Sequence, residues 1–424
     1  MILLPRLLAS SPNLSRFEVP FLSDNDLRLL ALHCGSSLRT VISRSSVITA
    51  AAVSELCTSC PNLKIFYHGT NYSKASEDDI ILAVVQGCPD IEFTCTINSR
   101  ITNTAMISLS NIHTLKIFRI CHQNLSSTAI HRVLRANTNL TEVYLIGSFI
   151  DNYLVSAIGS YCRNLIKLEL SSGLSSSPLT DVTYLTLFRG CPLLEVFKLS
   201  QAHSMSDRSL RAMFQHCQHL TELQFNMPDR EKEVTSGEYI PILGAYYPSL
   251  TSLEVLNDGL PDLALRDIFT HCTELWKVTL NYCLLINDDT MIILAHNCTN
   301  LGVLYLGRNR ACDTGAGNNS CPTMTLTGML QVVSLCSNLV VLSLDRMPIS
   351  DEVLTRLSQT CPGLEQLFIT QCDGLITEVG VSTVLDTCKE LTYVSIDCSL
   401  DRFAPTIDIK ERRKMYPRIR FDTR

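Results

Sequence analysis

An elongated α/β solenoid, with parallel strands on a concave face and helices on a convex one, is the fold class that this sequence predicts. Two observations carry it. A nonapeptide of the loose form Cys-x-x-Leu-x-x-Leu-x-Leu returns 15 times, at a mean interval near 27 residues, and many of the intervals between copies hold a polar residue followed by an acid. A unit that returns every roughly 20 to 50 residues marks a stacked repeat. Such a unit cannot bury its apolar face alone, so its stability is a sum over neighbours.

The first positions of the copies are Ser11, Cys34, Cys60, Cys88, Ile112, Asn137, Cys162, Cys191, Cys217, Tyr247, Cys272, Cys298, Cys336, Cys361 and Cys388. The leucine step is kept at Leu63/Phe66, Leu165/Leu168, Leu220/Leu223, Leu301/Leu304 and Leu339/Leu342, and each copy ends in a short alternating run that reads as a strand. Between copies, Ser23-Asp24, Thr180-Asp181, Ser206-Asp207, Asn287-Asp288, Ser350-Asp351 and Thr377-Glu378 open helices. The first residue caps a free N–H, and the acid sits at the positive end of the helix dipole. Apolar residues at helical spacing follow, as in Leu210, Met213, Phe214 and Cys217, so each unit reads strand, loop, helix, turn.

Segments such as Cys272-Thr-Glu-Leu275 through Cys283 to Asp288, and Leu367 through Cys372 to Glu378, resemble cysteine-containing leucine-rich repeats. That subfamily dominates the F-box/leucine-rich-repeat proteins and the antagonist-of-mitotic-exit proteins. The resemblance covers nearly the whole chain, although the second family cysteine is kept only at Cys283 and Cys372. It implies a ribonuclease-inhibitor-like horseshoe. It also implies a substrate receptor of an SCF-type (cullin-RING) ubiquitin ligase, in the Ubl conjugation pathway that leads to proteasomal degradation. The alternative is an F-box-free scaffold or inhibitor with no ligase link.

Composition bounds the function classes. The chain is 46% hydrophobic with a mean hydropathy of +0.17, yet no run approaches the ~18 consecutive apolar residues of a membrane span. The net charge of −6 argues against nucleic acid as the main partner. Nineteen cysteines could form disulfides, bind zinc or pack. One slot per unit gives a ladder of small buried hydrophobes rather than clusters of four, which favours packing. Asn137 and Ser11 in the same slot suit a small polar group that meets a backbone carbonyl. Cys57-Thr-Ser-Cys60 is the one C-x-x-C pair, and no second pair completes a zinc site. The odd cysteine count and the lack of a secretory leader predict a reducing compartment, the cytoplasm or nucleus.

The expected domains are a solenoid over residues 1–400, with insertions near 226–238 and 307–325, and a capping unit over 401–424. Leu7 through Phe17 reads as a helix tail that runs into a repeat strand, so the chain opens inside a repeat. The F-box that the resemblance implies is not visible ahead of the repeats; it lies upstream of Met1, or the chain is an F-box-free member. At the other end Asp408–Tyr416 reads as a helix and Tyr416–Phe421 as a degenerate strand. Lys410, Arg412, Arg413 and Lys414 there read as a solvated face rather than a targeting patch. The insertions, the second of which holds Cys312 and Cys321, read equally as binding loops or tolerated additions.

If the leucines face inward, the residues flanking the middle leucine face the concave surface. They are Tyr67, Phe93 and Tyr144 towards one end, then Lys167, Glu169, Lys198, Glu222, Glu254 and Lys277, then Tyr305, Gln366, Phe368 and Tyr393. Exposed aromatics flanking a mixed-charge centre suit a protein or peptide ligand. No Gly-x-Ser-x-Gly, P-loop or His-Glu-x-x-His motif appears, and His216, His271 and His296 precede repeat cysteines at helix ends. The expectation is therefore a non-enzymatic monomer without cofactor or metal. Its partners would be a protein or peptide and, given an upstream F-box, a Skp adaptor and cullin, with no nucleic acid and no membrane.

Overall fold

The computed structural model describes residues 3–72, 76–96, 101–121, 125–147, 149–172, 178–201, 205–226, 243–256, 262–281, 286–307, 324–372, 376–397 and 414–422. The chain forms two compact units, residues 1–203 with 215–219, and residues 204–214 with 220–424. Cys283, Cys312, Cys321, most of both insertions and most of the proposed terminal helix lie outside the described residues.

In the first unit eight strands pair in parallel and in sequence order. They are β1 Arg16–Ser23, β2 Thr40–Val47, β3 Ile65–Asn71, β4 Phe93–Thr96, β5 Ile117–Cys121, β6 Glu142–Ile146, β7 Lys167–Ser172 and β8 Val196–Gln201. The expected helix tail is Leu3–Ala9, ahead of β1. A parallel neighbour requires a return crossover, and each helix, such as Asn152–Tyr161 or Asp181–Gly190, supplies one. Those two helices touch backbone to backbone: a Cβ on Gly190 would lie 1.6 Å from the Gly159 carbonyl oxygen, so only glycine fits.

The second unit repeats the scheme. Its strands are β9 Glu222–Asn226, β10 Ser252–Leu256, β11 Lys277–Asn281, β12 Val303–Gly307, β13 Val341–Asp345, β14 Gln366–Thr370, β15 Tyr393–Asp397 and β16 Arg420–Asp422. All pairs are parallel. Arg420–Asp422 makes the degenerate last strand. Among the described residues no helix is long and apolar enough to cross a membrane.

The repeat leucines form the core. Leu165, Leu168, Leu301, Leu304, Leu364 and Ile369 are fully buried, which fixes the strand phase. The cysteine slot is a hydrogen-bonded ladder. The thiol of Cys191 donates to the Cys162 carbonyl at 3.4 Å, Cys217 to Cys191 at 3.5 Å, Cys298 to Cys272 at 3.5 Å, and Cys361 to Cys336 at 3.3 Å. Asn137 fills the slot with an amide of reversed sense: Nδ2 donates to Val133 O of its own helix at 3.0 Å, and Oδ1 accepts from Leu115 N of the preceding repeat at 3.0 Å, so it meets an N–H there rather than a carbonyl. Burial pushes the thiols of Cys60, Cys162, Cys217, Cys272, Cys298 and Cys336 up to about 12. They stay protonated donors, which a ladder onto carbonyls requires. Cys57 and Cys60 are both fully buried, and among the described residues no group of three His, Cys, Asp or Glu could hold a metal ion.

Helix starts show both agreement and correction. Ser23, Thr180 and Asn287 cap their own helices as expected, and Ser23 forms a full capping box with Asp26. Ser350 does not: its hydroxyl is buried and without a hydrogen-bond partner. The acid that follows the cap does more than answer the dipole. Asp24 accepts from the backbone N–H and hydroxyl of Thr49 at 2.7 and 2.9 Å, and Asp351 from those of Thr377 at 2.8 and 2.5 Å. Asp78 and Asp288 reach Thr102 and Thr325 in the same way, at 2.8 and 2.7 Å to the N–H. Each of these four acids thus clamps the cap residue of the following helix.

Candidate ligand-binding sheet face

Strand spacing is ~4.8 Å and helices pack about 8 to 10 Å apart, so a stack with strands on one side and helices on the other has its sheet on the inner side. In each unit that face carries two outward rows, one on each side of the middle inward leucine. In the first unit the rows are Phe93–Ile117–Glu142–Lys167–Val196, and Arg119–Tyr144–Glu169–Lys198 with Tyr67. In the second they are Glu222–Ser252–Lys277–Val303–Val341–Gln366–Tyr393–Arg420, and Gln224–Glu254–Thr279–Tyr305–Ser343–Phe368–Ser395.

All 13 residues expected on this face lie in these rows, but not as free, exposed groups. Tyr67, Phe93, Tyr144, Tyr305, Phe368 and Tyr393 are half-buried rather than exposed, because neighbouring strands bring other side chains against them. The rings of Tyr67 and Phe93 stack with centroids 6.1 Å apart, and those of Phe368 and Tyr393 meet at 5.0 Å. The charges are also drawn together. Lys167 lies 3.7 Å from Glu142, and Lys277 lies 3.4 Å from Glu254. Glu169, Lys198, Glu222 and Gln366 are half-buried in the same rows. Partly exposed pairs of this kind are worth roughly 0 to 1 kcal/mol each, so they order the surface more than they hold the fold.

Sequence reasoning missed several members. Arg119 sits with its guanidinium carbon 4.2 Å from the Tyr144 ring centroid, a cation–π contact, and Tyr144 donates its hydroxyl to Glu142 at 2.9 Å. Burial, with Glu142 beside it, pushes the Tyr144 phenol up from its ordinary value. Arg420 lies 5.9 Å from the Tyr393 ring. The register signal that found Lys167 would also have found Glu142, Arg119 and Ser343. Their slots begin with Asn137 or Ile112, or their side chains are small, which hid them.

A second departure lies on the core side of the first unit. Where other repeats place the last inward leucine, β2 has Ser43 and β3 has His68, both buried. Glu77 occupies the place eleven residues before the slot, where most other repeats hold a Ser, Thr, Asp or Asn cap, and the cap moves one residue back to Ser76. His68 Nε2 and Glu77 Oε2 lie 3.6 Å apart, both nearly inaccessible. That separation is too long for a hydrogen bond. Burial therefore dominates and lowers the His68 pKa to about 4.

No family model matches this chain. Over 250 residues it is 25% identical to the protein EEED8.10 of Caenorhabditis elegans, which carries a provisional RNA-binding name; the match covers 58% of this chain and 31% of that protein. Over 199 residues it is 23% identical to F-box/LRR-repeat protein 4 of Bos taurus, a match covering 46% of this chain and 29% of that protein. The chain thus matches about a third of the length of each. Among solved structures it resembles a chain of the Rad7 and Elc1 complex in yeast, with a TM-score of 0.56, 17% identity, and coverage of 76% of this chain and 79% of that one. With the repeat register and the cysteine ladder, this likeness makes the fold a leucine-rich-repeat solenoid.

Proposed function

We propose that this solenoid is a non-enzymatic protein-binding module that selects substrates for an SCF-type ubiquitin ligase. The observation that carries the binding reading is the sheet face: two registers of half-buried aromatic and charged side chains that the core does not require. Aromatic residues held in place this way are the usual centres of protein interfaces. The ligase step has narrower support, the similarity to F-box/LRR-repeat protein 4 and the fold shared with a chain crystallised in a complex with Elc1. Protonated rung thiols suit work in a reducing compartment, the cytoplasm or nucleus.

Two measurements test this reading. The full-length natural product is used to capture a Skp-type adaptor, and recovery of adaptor and cullin together is expected; their absence removes the ligase assignment. Tyr305→Ala combined with Phe368→Ala is expected to weaken capture of protein partners about tenfold or more, with the thermal midpoint within a few degrees of the parent. A second reading, single-stranded RNA as the ligand, is favoured by the RNA-binding name that the similar protein EEED8.10 carries. Retention of single-stranded RNA but no protein, lost on the same double substitution, would overturn the protein-binding reading.

A further inference from the structure

In the second unit one outward residue breaks the pattern of its row. Val278 and Leu280 on β11 are fully buried in the core, so Thr279 between them points out of the sheet face. The outward serines of these rows, Ser252, Ser343 and Ser395, are half-buried. Thr279 is only 4% exposed, and among the described residues its hydroxyl has no hydrogen-bond partner. A sheltered hydroxyl left unpaired costs stability, and a valine of the same shape would avoid that cost. Packing alone therefore gives no reason for threonine here.

Three half-buried side chains stand around that hydroxyl. Glu254 on β10 and Tyr305 on β12 are its neighbours in register, one strand spacing, ~4.8 Å, to either side. Lys277 precedes it by two residues on the same face, and Nζ reaches Glu254 Oε2 at 3.4 Å. Such a pair contributes little on a partly exposed surface, so the flexible Lys277 stem is easily moved aside. Among the described residues Lys277 is the one partner of Glu254, which leaves Oε1 able to accept. The two charges offset each other, so the place suits a neutral group rather than an ion. Its polar atoms set two requirements: the unpaired O–H of Thr279 needs an acceptor, and the carboxylate, which only accepts, needs a donor beside it.

Resting on the protein-binding reading, we propose that Thr279 and Glu254 together bind the side-chain carboxamide of an Asn or Gln on the partner. A primary carboxamide carries its C=O and one N–H side by side. A main-chain peptide group is trans, so its C=O and N–H point in opposite directions and cannot serve both atoms at once. The ligand's carbonyl accepts from Thr279 Oγ1, its N–H donates to Glu254 Oε1, and its flat face lies along the Tyr305 ring. Charged side chains fail one requirement each, because Lys and Arg offer no acceptor and ionised Asp and Glu no donor.

The test uses the full chain and a phage-displayed library of random dodecapeptides, followed by fluorescence anisotropy on the selected peptides. Selected sequences should share an Asn or Gln, and replacing it by Asp, Glu or Leu should weaken binding about tenfold or more. Thr279→Val should weaken binding of the same peptides by a similar factor while its thermal midpoint stays at or above the parent's, because the unpaired hydroxyl is gone. Thr279→Ser, which keeps the hydroxyl, should bind as the parent does. Undiminished binding by Thr279→Val assigns the hydroxyl to a trapped water, and a lowered midpoint assigns it to the fold; either result overturns the site. Peptides without a shared Asn or Gln, or no selected peptide at all, overturn it as well. In each of these cases protein capture that is lost on the Tyr305 and Phe368 double substitution leaves the protein-binding reading standing. Retention of single-stranded RNA but no protein, lost on Thr279→Val, would give the site to the edge of a base and overturn both.

Discussion

Replacing Asp351 by alanine separates two accounts of the acid that opens each helix. If the acid serves only the helix dipole, Asp351→Ala and Glu352→Ala should cost about the same, roughly 0.3 to 1 kcal/mol each, because both lie in the first turn of helix Asp351–Thr360. The structure assigns them different work. Asp351 accepts from Thr377 N at 2.8 Å and Thr377 Oγ1 at 2.5 Å, while Glu352 is exposed at the surface. A hydrogen bond to a charged group contributes about 1.5 to 3 kcal/mol when sheltered, and less at a solvated site such as this. Losing two such bonds, and with them the positioning of a cap residue, should therefore cost about 2 kcal/mol. Thr377 caps the next helix, so the loss falls at the interface between two repeats, where a solenoid's cooperativity resides. Urea unfolding followed by circular dichroism should show a lowered midpoint for Asp351→Ala, a near-parental midpoint for Glu352→Ala, and partial recovery in Asp351→Asn. Equal midpoints for the two alanine variants would refute the clamp.

Other consequences can be measured directly. The lowered His68 pKa, about 4 against an ordinary 6.5, means that the unfolded chain takes up a proton between pH 6.5 and 4 while the folded chain does not. Stability should therefore fall as pH drops through that window, by up to about 3 kcal/mol, and His68→Leu should flatten the slope; an unchanged slope would show that His68 is not the titrating group. Thiols pushed up to about 12 have a thiolate fraction below about 10⁻⁴ at neutral pH. Iodoacetamide with peptide mapping should then modify half-buried Cys372 well before Cys162 or Cys336, and equal rates would contradict the ladder.

Much of this fold is legible in the sequence because it is local. The leucine step fixes the strand phase, the cysteine slot fixes the helix end, and a one-residue error in phase would have turned Leu304 and Leu367 outward, whereas both are buried. The same phase placed all 13 face residues in the right rows. It could not say that Lys277 leans to Glu254 or that Phe368 leans to Tyr393, because these partners lie about one repeat apart and side-chain direction depends on what each neighbour offers. His68 and Glu77 each read as a small lapse from the repeat, and no pattern within either unit shows that the two lapses meet.

By itself, then, the sequence determined the repeat, the inward and outward faces, and the packing role of the cysteines, since all three follow from periodicity within a unit. Tertiary structure alone decided what the outward residues do to one another. It turned the dipole acid into a clamp on the next repeat, drew exposed charges into pairs, and set Ser343 between two rings. The physical reason is the stacking itself: groups some 25 to 30 residues apart become neighbours one strand spacing, ~4.8 Å, from each other, and side chains settle according to those neighbours.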